Sequence, residues 1–186
     1  MIISRGRGYI FVHIPKTRGT AMALALEDRA KADDIMIGDT PKTVKRRGKV
    51  KNVQTAGRLW KHSTLADAEG LITRDEMRDL FTFTLVRNPW DRMVSYYHWL
   101  KTQTFDHPAV ILAQSKGFSG FLNAPLTQAT FRKTPYAAYM TDGAGDVHSD
   151  LYIRLEHLAE DTAPLRDHLG FDLDMKIANA SARPCD

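Results

Sequence analysis

Apolar residues fall in short runs separated by polar turns, with neither one long periodic helix nor a membrane-length stretch. The run Tyr9–His13 (YIFVH) is aromatic and β-branched and predicts a buried strand. Pro15 to Thr20 reads as a turn, and Ala21–Ala30 as a helix whose Met22, Leu24 and Leu26 face a core. Ser63 or Thr64 can cap a short helix reaching Gly70, and Thr73 with Glu76 has capping-box spacing. Phe81–Val86 (FTFTLV) is the strongest strand signal in the chain. Asn88 and Pro89 then suit the N-cap and first helical position of a long helix through Lys101. Phe118–Leu122 suits a short helix, Asp142–Gly145 a turn and Leu151–Leu155 a further strand; a helix after Glu156 is closed by Gly170. There is no internal repeat and no Pro/Ser/Gly-rich linker. Strands alternating with helices predict one α/β domain over residues 1–186: a central, mostly parallel sheet flanked by helices on both faces.

Composition narrows the chemistry only a little. Hydrophobic residues make up 43% of the chain, enough for a sizeable core. Lys and Arg number 26 against 22 Asp and Glu, a net charge of +4 that fits an anionic ligand without identifying it. Cys185 is the only cysteine, which excludes an intrachain disulfide and a cysteine-rich metal centre. His107, His148, His157 and His168 lack metal-ligand spacing with cysteines or carboxylates, so no metal is expected. No leader pattern opens the chain and no apolar run approaches about 18 residues, which reads as a cytoplasmic enzyme. Residues 42–51 carry six basic side chains and no acid. This segment reads as a loop, either solvated or placed to attract an anionic acceptor. Without interleaved aromatics it does not suit nucleic acid.

Two turns carry the candidate chemistry. The first is His13-Ile14-Pro15-Lys16-Thr17-Arg18-Gly19-Thr20, between a strand and a helix. A helix N-terminus offers unpaired N–H groups and partial positive charge. Gly19 permits close backbone approach, Lys16 adds a full charge, and Thr17 and Thr20 add hydroxyl donors. Taken alone, the segment also suits a plain turn with a solvated lysine. It is not the GxxxxGK[ST] loop of nucleotide hydrolases, because Lys16 precedes the glycine. The second turn, Arg87-Asn88-Pro89-Trp90-Asp91-Arg92, also follows a strand and opens a helix. Arg87 stands at the strand's carboxyl end, where ligands of open α/β sheets bind. Ser95 lies about two helical turns on and can face the same pocket. Asp91 and Arg92 are expected to hold the turn and pair locally, and Trp90, Tyr96, Tyr97 and Trp99 to be core. Two anion-binding turns suit a nucleotide phosphorylated at two separate points.

At these residues the sequence resembles the carbohydrate sulfotransferases that use 3′-phosphoadenosine 5′-phosphosulfate (PAPS), the group containing heparan and chondroitin O-sulfotransferases and small bacterial relatives. Residues 13–21, HIPKTRGTA, are similar to that family's HIPKTGGTS loop, and Val86–Tyr97, VRNPWDRMVSYY, to its VRNPWDRxVSxY element. Lys61-His62-Ser63-Thr64, YIRLEHLAED (152–161) and Asn179–Ser181 extend the likeness. The resemblance implies a sulfotransferase fold like that of P-loop kinases. It implies that Lys16, Thr17, Gly19 and Thr20 hold the 5′-phosphosulfate, with Arg18 a candidate beside them, and that Arg87 and Ser95 hold the 3′-phosphate. It implies PAPS as donor, adenosine 3′,5′-bisphosphate as product, and an acceptor hydroxyl, with carbohydrate favoured. Two positions depart from the pattern. Arg18 replaces a glycine and Ala21 a serine; Arg18 can add a phosphate contact or point to solvent.

Sulfuryl transfer needs a held donor, a base for the acceptor hydroxyl and stabilisation of the leaving phosphate. Lys16 is the candidate for the last role. His62 is the candidate base, since imidazole titrates near neutrality and the family places a histidine between the two turns. His13, His98 and Glu156 are the competing bases. Two rivals stand beside this reading: a small-molecule kinase on the same fold, and a nucleotide-binding protein without turnover.

Overall fold

The structure is a computed structural model, and residues 1–175 of the chain are described. Asn179–Ser181 and Cys185 lie outside the described residues. In chain order the elements are β1 (Ile2–Ser4), β2 (Tyr9–Val12), α1 (Gly19–Asp28), β3 (Ile35–Met36), α2 (Pro41–Arg46), α3 (Arg74–Asp79) and β4 (Phe81–Val86). Then come α4 (Pro89–Lys101), α5 (Pro108–Ser115), α6 (Phe118–Leu122), α7 (Pro125–Lys133), α8 (Tyr136–Tyr139), β5 (Leu151–Arg154), α9 (Leu158–Asp161) and α10 (Ala163–Leu169).

The sheet has the order β3-β1-β2-β4-β5. β2 pairs in parallel with β4, and β4 with β5. β1 runs against both of its neighbours, so four of the five strands share one direction. The reversal of β1 is local. Residues 5–8 form one tight turn closed by Gly8 at φ 68°, too short for a crossover, so the chain returns antiparallel. Side chains alternate across the sheet. Ile10 and Val12 face a cluster with Ile3, Leu65, Ile72, Met77 and Met140. Tyr9 and Phe11 face the other way, against Phe83, Ile153, Met22 and Leu165. A third cluster binds α4 to α5 and α6 through Tyr97, Leu100, Val110 and Phe121.

The register decides where the turns emerge. Val12, the last residue of β2, lies opposite Thr84, about 4.8 Å away, and β4 continues two residues further to Val86. The Thr84 hydroxyl donates to Val12 O at 2.7 Å across that junction. Both candidate turns therefore leave the same edge of the sheet.

The local signals hold where they are strong. Phe81–Val86 and Pro89–Lys101 form as expected, with Asn88 Oδ1 accepting from Trp90 N–H at 3.0 Å. Thr73 and Glu76 make the reciprocal capping box. Gly170 closes α10 at φ 75°. Four expectations are corrected. The basic segment is not a loop: α2 spans Pro41–Arg46 and a single 3-10 turn covers Arg47–Val50. Its N-terminus is held by the buried Glu27 carboxylate, which accepts from the N–H groups of Lys42 and Thr43 and from the hydroxyls of Thr40 and Thr43. Leu24 is only half-buried, because at 100° per residue it turns away from the Met22–Leu26 stripe. Trp90 is 72% exposed rather than core, and Trp99 is 39% exposed. Arg92 does not pair within its own turn but crosses to Pro15 of the first turn.

Candidate active site

The first turn is built on strained backbone. Lys16 and Arg18 both adopt positive φ, 68° and 57°, while Thr17 between them does not. Such alternation points successive N–H groups into one concavity that suits an anion. Arg18 serves as the N-cap of α1 in the left-handed region, and its carbonyl accepts from Ala21 N–H at 2.9 Å. A glycine adopts this conformation without penalty. Arginine carries a cost of about 1–2 kcal/mol, which explains why the family pattern has glycine here. Lys16 Nζ lies 5.1 Å from the centre of the Trp99 ring, so the turn is laid against α4. The Thr17 hydroxyl is buried and donates to Ile14 O at 2.8 Å. It braces the turn from behind and does not line the cavity.

Gly19 is required by packing. A Cβ there would lie 2.0 Å from His13 Cδ2 and 2.5 Å from Nε2. The His13 ring is itself buried, 7% exposed, and cannot swing away cheaply. Gly19→Ala is expected to destabilise the fold by about 1–3 kcal/mol, the scale of an overpacked core, and to weaken nucleotide binding as the turn shifts. Denaturant unfolding and calorimetry would check both effects.

The second turn stands beside the first. The Tyr136 hydroxyl donates to Arg87 O at 2.6 Å, and the Glu156 carboxylate accepts from Asn88 N–H at 2.7 Å. Glu156 is thereby committed to holding this turn. Arg92 is 6% exposed, and its Nε–H donates to Pro15 O at 3.1 Å, across 77 positions of sequence.

His62 reaches the same place from the segment between β3 and α3. Its Nδ1 lies 2.8 Å from His13 O. A carbonyl only accepts, so Nδ1 carries the proton and Nε2 keeps its lone pair, the arrangement a general base needs. The ring packs edge-on against His13, with centroids 4.6 Å apart, and against Trp60 at 5.0 Å. Burial pushes the His62 pKa down to about 4, and burial also holds His13 well below the usual histidine value. Both rings are neutral in the folded protein at pH 7.

These depressed values couple to stability. An unfolded histidine binds its proton near pH 6.5, whereas folded His62 does not until about 4. Stability is therefore full above about pH 6.5 and falls as the solution is acidified below it. Between about pH 6.5 and 4.5 the expected loss from His62 alone is on the order of 2–3 kcal/mol. Denaturant midpoints measured across that window should decline, and His62→Gln should flatten the decline. A midpoint flat down to pH 4.5 would contradict it.

One cavity of about 1480 Å³ collects these groups. Lys16, Arg18, Gly19, Thr20, Arg87, Ser95 and His62 all line it, and among its described lining residues there is no Asp or Glu. Of the expected binding residues, Thr17 alone is absent from its wall. Of the competing bases, His13 and His98 line it and Glu156 does not. Trp60, Trp99 and Phe105 form an aromatic wall that composition did not reveal. The basic segment 42–51 is elsewhere. Lys42, Arg46 and Lys49 donate to backbone carbonyls of residues 27–34, tying α2 to the end of α1. Among the described residues no group of three or more His, Cys, Asp or Glu is placed to hold a metal ion, and no helix is long and apolar enough to cross a membrane.

The pattern described as the sulfotransferase family matches residues 1–181. A search of curated proteins finds no match. Among solved structures, mouse sulfotransferase SULT7A1 complexed with PAP is similar at 16% identity, with a TM-score of 0.41. The match covers 90% of this chain and 60% of that one, so the chain spans about 60% of that protein's length.

Proposed function

The chain belongs to the sulfotransferase family, and on that footing we propose that it moves a sulfuryl group from PAPS to an acceptor hydroxyl. The observation that carries this reading is that the two candidate turns, adjacent through the β2–β4 pairing, open into one cavity with no Asp or Glu among its described lining residues. In the proposal the backbone N–H groups of residues 16–20 and the side chains of Lys16 and Thr20 hold the 5′-phosphosulfate, with Arg18 at its rim. Arg87 and Ser95 hold the 3′-phosphate. Such contacts position the donor and supply charge where the leaving group develops it.

His62 Nε2 accepts the acceptor's proton as its oxygen attacks sulfur. The bond between sulfur and the bridging oxygen of the 5′-phosphate breaks in line. Lys16 stabilises the charge on that oxygen, adenosine 3′,5′-bisphosphate leaves, and the imidazolium later releases its proton to solvent. The products balance as a sulfate ester, the bisphosphate and one proton. No step calls on a metal.

The acceptor enters between Trp60, beside His62, and Trp99, beside Lys16; the two are 50% and 39% exposed. Flat ring faces at this position suit a pyranose, the carbohydrate acceptor that the family resemblance favours. Transfer of labelled sulfate from PAPS to a panel of glycans and phenols tests the activity. Tight binding of adenosine 3′,5′-bisphosphate without magnesium supports the reading, whereas a preference for ATP with magnesium supports a kinase. Nucleotide binding without turnover on any acceptor would leave a binding protein.

A further inference from the structure

Arg92 is buried, carries a charge, and has a role that the donor contacts do not explain. Its Nε–H donates to Pro15 O, one residue before Lys16. Its guanidinium lies over the Tyr136 ring at 4.7 Å and the Phe131 ring at 5.4 Å. Among the described residues, no carboxylate forms an ion pair with it. A buried cation held by a carbonyl, the Tyr136 hydroxyl and two ring faces gives up the acid partner that usually offsets desolvation. The Tyr136 ring under it continues to Arg87, because the Tyr136 hydroxyl donates to Arg87 O at 2.6 Å. One unbroken series of contacts therefore runs from Pro15 through Arg92 and Tyr136 to Arg87. It joins the backbone of the first turn to that of the second.

We propose that Arg92, acting through Tyr136, is a positioning residue that fixes the separation of the two turns, so that the cavity discriminates a doubly phosphorylated adenosine from a singly phosphorylated one. The inference rests on the nucleotide reading given above. The strand pairing sets how far apart the two turns begin, and the Arg92–Tyr136 tie sets how far apart they end. A ligand touching one turn gains little from that tie. A ligand gripped at both ends gains only while the spacing matches its own, because small misplacements of paired contacts are costly.

The test is the ratio of dissociation constants for adenosine 5′-monophosphate and adenosine 3′,5′-bisphosphate, measured by calorimetry on the full chain. The unaltered protein should prefer the bisphosphate. Arg92→Met should lower that preference about tenfold while changing monophosphate affinity little. Arg92→Lys, which keeps charge but not the Nε–H donor, should not restore it. If lysine restores the ratio, charge alone matters and the positioning role is overturned. A parallel fall in both affinities would show a merely structural residue and also overturns it. Should Arg92→Met fail to fold, Tyr136→Phe keeps the ring and removes one hydroxyl. It should lower the ratio by about threefold, and an unchanged ratio counts against the tie. A protein with no preference for the bisphosphate before any substitution would instead overturn the nucleotide reading itself.

Discussion

His62→Ala should cut turnover by about 10²–10⁴-fold and leave the affinity for adenosine 3′,5′-bisphosphate unchanged. The split follows from where the ring stands. His62 is oriented by the His13 carbonyl at the base of the first turn, outside residues 16–20 that are proposed to meet the phosphate, and its Nε2 lone pair is the group offered to an incoming hydroxyl. Removing the ring takes away the proton acceptor and leaves the turns in place. Single-turnover transfer of labelled sulfate separates chemistry from binding. Full turnover in the variant would move the base to His98 or His13, the other imidazoles on the cavity wall. His13 is the weaker of these candidates, because its ring is wedged against Gly19 and buried. The acid side of the pH–rate profile carries the same information. Burial makes His62 a weak base in the ligand-free protein, so activity should persist well below pH 6.5 and fall as the imidazole protonates.

Arg87→Ala should weaken binding of the bisphosphate by about 1.5–3 kcal/mol, or roughly 10–150-fold, the scale of a charge-assisted hydrogen bond. Affinity for adenosine 5′-monophosphate should hardly move, since that ligand lacks the phosphate Arg87 is proposed to meet. This second measurement matters because Arg87 also sits near Glu156, which helps hold the turn. If the substitution merely loosened the turn, both nucleotides would suffer. Equal bisphosphate affinity in the variant and the unaltered protein would remove Arg87 from the donor site.

What the sequence reveals and what it hides divide along physical lines. Features decided within a few residues are readable. The Asn88–Pro89 start of α4, the Thr73–Glu76 capping box and the run FTFTLV each contain their own cause: a side chain that caps, a proline at the first helical position, a β-branched stretch buried on both faces. The two turns are readable for the same reason, as strand ends meeting helix starts. Features decided by distant partners are not. α2 exists because Glu27, from another helix, accepts from its first N–H groups, so a run of cations that looks like loop becomes helix. β1 and β3 are too short to show a pattern, and their place in the sheet comes from pairing with each other and with β2. The contact between Arg92 and Pro15 O spans 77 positions, which no local signal announces. Trp90 reads as core by composition but is exposed, because the first turn of α4 lies at the rim of the sheet. The left-handed backbone at Arg18 is hidden too, although the glycine of the family pattern marks the spot.

In the proposed reading, residues 16–20 and the Arg87–Ser95 face grip opposite ends of one nucleotide. A crystal structure with adenosine 3′,5′-bisphosphate tests it most directly. The expected result is the 5′-phosphate against the N–H groups and Lys16 of the first turn, with the 3′-phosphate against Arg87 and Ser95 of the second. Both phosphates on one turn, or density for the nucleotide outside this cavity at saturating ligand, would contradict it.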